Sequence, residues 1–134
     1  MYPTGIFQGL DGDIEFTIAA GGTSNEVNVD IQVVDNNGDD VEETFLLDVW
    51  LSEAATGVIS SNAPSGNFTV ETTGTLVYPL SATTSDHIMV MTDATGTCRL
   101  SLIDSAKLAY YICVKEPRSG RTVRSRILAT ADYA

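Results

Sequence analysis

The stretch that decides the fold is residues 26–34, Glu26-Val27-Asn28-Val29-Asp30-Ile31-Gln32-Val33-Val34. Aliphatic side chains occupy every second position from 27 to 33, and polar side chains stand between them. Because successive side chains of a β-strand point to opposite sides, this alternation predicts a strand with one buried face and one wet face. The Asn37-Gly38 pair that follows is a common hairpin turn signal.

The same period of two continues in both directions from this stretch. Residues 44–52 place Phe45, Leu47, Val49 and Leu51 inward and leave Leu46, Asp48 and Trp50 on the other face. Further strands are predicted at 13–20, 68–71, 75–80, 86–92, 97–103, 108–115 and 121–130. In the last of these we expect Val123, Ile127 and Ala129 to face inward and Arg124 and Arg126 to face out.

The segments between the predicted strands carry turn signals. Residues 53–67 are small and polar and contain Gly57, Pro64 and Gly66, which predicts a long surface connection. Pro79 cannot donate a hydrogen bond to a sheet, so the strand at 75–80 should lie at a sheet edge or end there.

Short strands with a turn every 8–14 residues predict an all-β, immunoglobulin-like β-sandwich of about 7–9 antiparallel strands. Trp50 on an early central strand fits this fold, as does Tyr111, which stands two residues before Cys113 as in a tyrosine corner. The other cysteine, Cys98, falls in the immediately preceding strand, so the inter-sheet disulfide pattern of antibody domains is absent. We divide the chain into an extended N-terminal arm, residues 1–12, and a single sandwich domain, residues 13–134.

The net charge of −11 is unevenly distributed along the 134 residues. Residues 1–98 contain 15 acidic side chains and no lysine or arginine, whereas all seven basic side chains lie between Arg99 and Arg126. Most of the surface would repel phosphate, which excludes a general nucleic-acid binder but leaves open a local contact through the basic end.

The sequence also indicates in which cellular compartment the chain folds. There is no apolar run long enough to span a membrane, and the start of the chain does not resemble a secretory signal. We therefore expect folding in the cytoplasm, where Cys98 and Cys113 are expected to be free buried thiols, with a single disulfide as the alternative. Two cysteines and one histidine at these spacings do not make a zinc site.

Two acidic turns contain the oxygen-bearing side chains that calcium prefers. Asp11-Gly12-Asp13-Ile14-Glu15 gathers oxygen ligands, and the turn 35–40 begins like a calcium loop. The second turn lacks the glycine at the sixth position and has Leu46 at the twelfth, so it is not an EF-hand loop. Acidic residues favour turns for backbone reasons alone, and we expect no metal or other cofactor.

A catalytic role has little support in the sequence. His87 follows Asp86, but neighbours in a strand point to opposite faces, so Asp86 is poorly placed to orient His87. No nucleophile elbow and no Gly-rich loop opening a helix is present. We predict a partly buried or surface histidine and a protein without enzymatic activity.

Three features are candidates for partner contacts. Trp50 is either covered by a loop or a neighbouring strand, or it anchors a partner chain. The basic strip, defined as Arg118, Arg121, Arg124 and Arg126, either protects an edge strand from aggregation or docks against acidic surface on another copy or another subunit. The arm either frays or extends across a partner, and four large apolar side chains favour the second: Tyr2, Ile6, Phe7 and Leu10.

Several stretches, in order over about residues 26–130, resemble small immunoglobulin-like virion proteins of tailed bacteriophages. They are Val29-Asp30-Ile31-Gln32-Val33-Val34-Asp35 with its Asn-Gly turn, Val49-Trp50-Leu51-Ser52-Glu53-Ala54-Ala55-Thr56-Gly57, Ala63-Pro64-Ser65-Gly66, Thr92-Asp93-Ala94-Thr95-Gly96, Tyr110-Tyr111 and Pro117-Arg118-Ser119-Gly120-Arg121. The first ten residues lie outside the resemblance.

This resemblance implies a structural role in the virion, as a capsid decoration or cement protein, a head fibre or a tail-associated module. We expect binding to the major capsid protein or other virion subunits, as a homo-oligomer on the particle, without nucleic acid or membrane. The alternative is a tail or fibre module that binds a host surface or another virion protein.

Overall fold

The period-two pattern of the sequence becomes a set of short antiparallel strands in the computed structural model, which describes residues 13–79, 85–117 and 119–134. The strands are β1 (Asp13–Ala20), β2 (Glu26–Val34), β3 (Leu46–Ser52), β4 (Phe68–Val70), β5 (Thr75–Tyr78), β6 (His87–Met91), β7 (Thr97–Ile103), β8 (Tyr111–Glu116) and β9 (Arg121–Arg124). Within the described residues, one 3-10 turn, Thr130–Asp132, follows the strands.

Two antiparallel sheets form the sandwich. The four-stranded sheet has the order β1-β2-β7-β4, and the five-stranded sheet has the order β5-β6-β3-β8-β9. The first order matches strands A-B-E-D of an immunoglobulin-like sandwich, and β3-β8-β9 matches C-F-G. The hairpin β5–β6 is an addition on the outer side of β3. The predicted all-β sandwich is therefore confirmed.

The core lies between the two sheets and is built from the alternating aliphatic positions. In β2 these are Val27, Val29, Ile31 and Val33, all fully buried. Phe45, Leu47, Val49 and Leu51 face them from β3 and its N-terminal flank. β7 adds Cys98, Leu100 and Leu102 to the same cluster. The predicted inward faces of these three strands are confirmed, because burial of one face sets the register.

The predictions for the connecting segments hold as well. β5 is the edge strand of the five-stranded sheet and ends at Tyr78, directly before Pro79. No strand forms between Ser52 and Phe68, although Ser60 and Pro64 are buried along this connection. Both outcomes follow from the proline and glycine chemistry of these segments.

The prediction for residues 121–130 is wrong beyond Arg124, where β9 ends. Ile127 and Ala129 are exposed, and Ser125 and Leu128 are buried in their place. The amide of Ser125 donates to the Ile112 carbonyl, and the amide of Leu128 donates to the Tyr110 carbonyl. One strand thus advances three residues while its partner advances two, and this extra residue reverses the alternation, as a β-bulge does. Arg126 consequently does not share a strand with Arg124.

The tyrosine corner is not at Tyr111. The neighbouring Tyr110 is the fully buried residue, and its hydroxyl donates to the Asn62 carbonyl at 2.9 Å. Tyr133 makes a similar bond to the Leu108 carbonyl at 2.8 Å. Tyr111 begins β8 on the outer face, because alternation sends Ile112 and Val114 into the core.

Candidate interaction surfaces

The histidine of β6 makes a polar contact across the sheet. His87 lies opposite Trp50 in the register, and its Nε2 is 2.5 Å from Oδ1 of Asp48. The partner is therefore Asp48 of the adjacent strand, and not Asp86, as the strand geometry predicted. Ser85 directs its hydroxyl to the His87 backbone carbonyl at 3.0 Å. His87 is an exposed surface histidine, as predicted.

The acidic turn 35–40 uses its first carboxylate for the backbone. Oδ1 of Asp35 accepts hydrogen bonds from the amides of Asn37 and Asp39, at 2.8 and 3.0 Å. This is the usual way in which aspartate stabilises a turn. Within the described ranges, no group of three or more His, Cys, Asp or Glu side chains is placed to hold a metal ion. Asp11 and Gly12 of the other acidic turn lie outside those ranges.

Both cysteines are free and buried, which confirms the prediction of free thiols. Cys98 belongs to the core on the four-stranded sheet, whereas Cys113 lies on the outer face of β8, opposite Trp50. Burial raises the pKa of Cys98 to about 12 and also raises the pKa of Cys113. Neither sulfur is thereby available as a thiolate near neutral pH, so neither is a reactive nucleophile.

The predicted basic strip is divided by its local partners. Arg126 forms a two-point ion pair with Asp132, at 2.7 and 2.8 Å, which holds the pKa of Asp132 at about 2. The guanidinium of Arg124 stacks on the Tyr111 ring, 4.8 Å from its centroid. Arg121 and Arg124 are exposed and form no ion pair in the described part of the chain. Arg118 lies outside the described residues.

The N-terminal arm is untested. Its four proposed contact residues, Tyr2, Ile6, Phe7 and Leu10, lie outside the described residues, as does the whole of the arm. Its contact role remains a prediction.

Trp50 is half-buried because a loop crosses it, as the first of the two interpretations proposed. Its indole Nε1 donates to the Gly57 carbonyl at 2.8 Å, and its ring meets His87 edge-on with centroids 6.1 Å apart. Gly57 also lies close to Cys113, because a Cβ atom at position 57 would be 3.9 Å from the Cys113 sulfur. The loop thus covers one end of the outer face of the five-stranded sheet.

The covering loop is also held by hydrogen bonds on its other side. The Ser60 amide donates to the Leu51 carbonyl at 2.8 Å, and the Ser60 hydroxyl donates to Oε2 of Glu53 at 2.7 Å. Asn62 donates to the same carboxylate oxygen, and these two bonds lower the pKa of Glu53. Between the fixed points, Val58 and Ile59 are exposed, Val58 by 66%. The loop therefore presents two apolar side chains to solvent in a defined position.

The outer face of the five-stranded sheet carries further exposed apolar side chains. Leu46 of β3 lies opposite Met91 of β6. Tyr78 belongs to the edge strand β5 and lies opposite Met89 of β6. Tyr78 is 70% exposed, Leu46 41% and Met91 38%. A shallow depression of about 210 Å³ lies between Tyr78, His87 and Asp48. We call this surface the apolar face and define it by Leu46, Val58, Ile59, Tyr78 and Met91.

The outer face of the four-stranded sheet is different in kind. Arg99 makes a two-point ion pair with Asp30, at 2.6 and 2.9 Å. On either side of it, Thr97 donates to Gln32 at 2.7 Å and Ser101 donates to Glu26 at 2.5 Å. The side chains of the Arg99–Asp30 and Thr97–Gln32 pairs are partly exposed, whereas Ser101 and Glu26 are buried, and all six side chains are polar. Of the six large hydrophobic side chains exposed in the described residues, five belong to the apolar face.

Sequence reasoning singled out Trp50 but missed the residues around it. Leu46 and Met91 could have been found, because each occupies an outward position in an alternating strand. The pattern gives no such signal for Val58 and Ile59, because their exposure depends on the path of a loop. It gives none for Tyr78 either, because a register shift between Leu76 and Tyr78 interrupts the pairing of its strand.

No helix in the described ranges has the length and hydropathy needed to cross a membrane. Comparison of the chain with protein-family models, with characterised proteins and with solved structures gave no match.

Proposed function

We propose that this chain is a non-enzymatic structural protein of a bacteriophage virion, a decoration or cement protein that binds the assembled head through its apolar face. Two lines of support meet here. The ordered stretches of sequence resemble small immunoglobulin-like virion proteins, and the sandwich carries exposed apolar side chains on one outer face.

The observation that carries the proposal is the contrast between the two outer faces. The four strands of the first sheet carry none of the six large hydrophobic side chains that are exposed in the described residues, whereas Leu46, Tyr78 and Met91 stand exposed on the five-stranded sheet around the His87–Asp48 pair. Exposed apolar groups gathered on one side of a small domain mark a protein contact. Their burial against a partner is favourable because apolar surface leaves water.

A module of this kind stabilises a particle by linkage. If it binds assembled capsid protein and not the free subunits, each bound copy makes disassembly less favourable. Many small contacts on one particle add through avidity, so each single contact can remain weak. The arm residues and the basic strip are proposed as additional contacts with the capsid or with neighbouring copies.

Immunoelectron microscopy of isolated virions with an antibody against this chain tests the role. We expect the label on the head, at a density that implies many copies. Label on the tail would instead support the alternative, a tail or fibre module that binds a host surface. Particles without label, from lysates in which the chain is expressed, would overturn both.

A further inference from the structure

The first strand of the sandwich, β1, has one free edge along its whole length. It forms the border of the four-stranded sheet, and its eight residues pair with β2 in one register without a bulge. A cleft of about 450 Å³ lies between residues 16–18 and residues 124–126. The other sheet therefore leaves the middle of this border open. We call the free side of β1 the β1 edge.

The hydrogen bonds at the end of β1 show which of its backbone groups are free. The Gly21 amide donates to the Glu26 carbonyl at 3.0 Å, and this pair continues the register of β1 with β2. Because alternate residues of an antiparallel strand turn both amide and carbonyl toward one partner, the odd-numbered residues of β1 face β2. Four even-numbered residues direct these groups to the β1 edge instead: Ile14, Phe16, Ile18 and Ala20.

One of the four outward amides is capped within β1 itself. The Ile14 amide donates to Oδ1 of Asp13 at 2.8 Å. Within the described residues, no hydrogen-bond partner meets the amides of Phe16, Ile18 and Ala20. A strand edge with unpaired donors and acceptors is a template for pairing with another strand.

The other sheet edges are protected against such pairing. β4 has only three residues, and β5 pairs with a register shift and ends directly before Pro79. β9 has four residues, carries Arg121 and Arg124, and is followed by the bulge at Ser125. Short strands, proline, bulges and cationic side chains all discourage edge pairing. β1 has eight regular residues without proline, lysine or arginine, so it is the edge best suited to a partner.

We infer that the β1 edge pairs antiparallel with β1 of a second copy of this chain, in a two-fold dimer centred on Thr17. In this register Phe16 of one copy faces Ile18 of the other, and Ile14 faces Ala20, so all outward positions are paired. Any shift of the register leaves an outward position unpaired. The same surface of each copy takes part, so the contact is isologous and closes at two copies.

The side chains across this contact are compatible. On the core side Phe16 and Ile18, both partly buried against the core, come together, and burial of their remaining apolar surface favours the dimer. On the outer side Glu15 faces Ala19, so acidic side chains do not stand directly opposite each other. The contact lies on the sheet opposite the apolar face, and the inference does not rest on the virion role.

The arm is the competing occupant of the β1 edge, and two observations disfavour it. Pro3 has no amide hydrogen, and Gly5 and Gly9 weaken an extended strand. To fold back through a two-residue turn at Asp11-Gly12, the arm would have to exchange backbone bonds with Asp13. The backbone groups of Asp13 already face β2. A second copy of β1 meets neither obstacle.

A disulfide across the two-fold axis tests the pairing directly. Thr17 would face its own counterpart at a non-hydrogen-bonded site, with Cα atoms about 4.5 Å apart, a distance that a disulfide can span. In oxidised glutathione we expect T17C to form a covalent dimer on non-reducing gels. The control A19C, equally exposed, should not, because its counterparts lie more than about 10 Å apart. Absence of the T17C dimer, or equal dimer from both variants, would overturn the inference.

A mixture of two single-cysteine variants tests the register. Glu15 of one copy faces Ala19 of the other, so an equimolar mixture of E15C and A19C should give the mixed disulfide dimer and little of either homodimer. The native Cys98 and Cys113 are buried and do not compete. Circular dichroism checks that the variants are folded. Folded variants that give no mixed dimer would contradict the proposed register.

Sedimentation velocity of the unmodified chain measures the dimer without a covalent link. We expect a reversible monomer–dimer equilibrium that strengthens from about 0.01 M to about 1 M salt, because the Debye length falls from about 30 Å to about 3 Å and screens the repulsion between copies of charge −11. A chain that stays monomeric in high salt up to about 1 mM, the weak end of specific association, would contradict the dimer. That outcome includes the case in which the arm covers the β1 edge.

Two lysine substitutions separate the local contact from net charge. T17K should weaken the dimer about threefold or more, because two ammonium groups then face each other at the two-fold axis. The matched control A19K makes the same change in net charge and should strengthen the dimer, because its ammonium group faces Glu15 of the other copy. Equal effects of T17K and A19K would assign the change to net charge and refute the pairing centred on Thr17.

Discussion

Trp50 shows how one side chain can organise a surface without forming the contact itself. Its indole holds the Gly57 carbonyl at 2.8 Å, and the next two residues, Val58 and Ile59, are the exposed pair of the covering loop. Gly57 has a φ of 81°, a conformation that suits glycine, so the loop can turn at this point. The tryptophan thus fixes the turn that directly precedes this exposed apolar pair.

Replacing Trp50 with phenylalanine removes the indole donor and keeps an aromatic ring. We expect W50F to lower the free energy of unfolding by about 1–2 kcal/mol, because the Gly57 carbonyl loses its partner in a half-buried place. Urea unfolding measures this loss, and limited proteolysis should cut faster within residues 53–62. Wild-type values in both measurements would show that the bond does not hold the loop.

Asp132 makes stability depend on pH in a defined direction. Its hydrogen bonds with Arg126 lower its pKa from the ordinary 3.8 to about 2. The ionised form is therefore favoured in the folded chain, and this contribution is complete above about pH 4 and lost as the pH falls through about 2.

The substitution D132N removes the charge and tests that dependence. At about pH 6 we expect D132N to be less stable than wild type by about 0.5–1 kcal/mol, since the pair is largely exposed on its arginine side. The difference should begin to shrink below about pH 4 and vanish below about pH 2, as followed by urea unfolding. A difference that stays constant down to pH 2 would contradict the role of the ionised carboxylate.

At the scale of elements, Ser125 explains why the prediction for the last strand is wrong beyond Arg124. Its hydroxyl accepts a hydrogen bond from the buried Ile112 amide at 3.0 Å and donates to the Arg126 carbonyl at 2.7 Å. The side chain thereby takes part in the backbone ladder at the point where an extra residue enters. Period-two reasoning assumes an unbroken ladder, so it assigned Ile127 and Ala129 to the wrong face.

Removal of this hydroxyl should therefore be costly. We expect S125A to lower the free energy of unfolding by about 1–3 kcal/mol, because the buried Ile112 amide is left without an acceptor. The matched control T122A, at an exposed position of β9, should stay within about 0.5 kcal/mol of wild type. Equal effects of the two substitutions in urea unfolding would refute this account of the bulge.

The strands that the sequence predicted well are those with one fully buried face. In β2, β3 and β7, a shift by one residue would expose a row of aliphatic side chains, so pattern and register agree. The contacts that it could not predict join residues that are far apart in the sequence. The bond from Tyr110 to Asn62 and the pair of His87 with Asp48 depend on how loops and sheets meet, which local alternation does not encode.

At the scale of the whole molecule, the charge split along the sequence becomes an arrangement of surfaces. On the four-stranded sheet Arg99 pairs with Asp30, the five-stranded sheet carries the apolar face, and Arg121 and Arg124 lie on β9, the edge strand of the five-stranded sheet. In our proposal, a copy binds the particle through the apolar face.

The most direct test of the central claim is hydroxyl-radical footprinting of the chain, free and bound to isolated virions. Tyr78 and Met91 are exposed and belong to residue types that react readily, and Ile127, exposed away from the apolar face, serves as the internal control. We predict that oxidation of Tyr78 and Met91 falls severalfold on the particle while Ile127 changes little. Undiminished oxidation of Tyr78 and Met91 on particles that carry the chain would contradict binding through the apolar face.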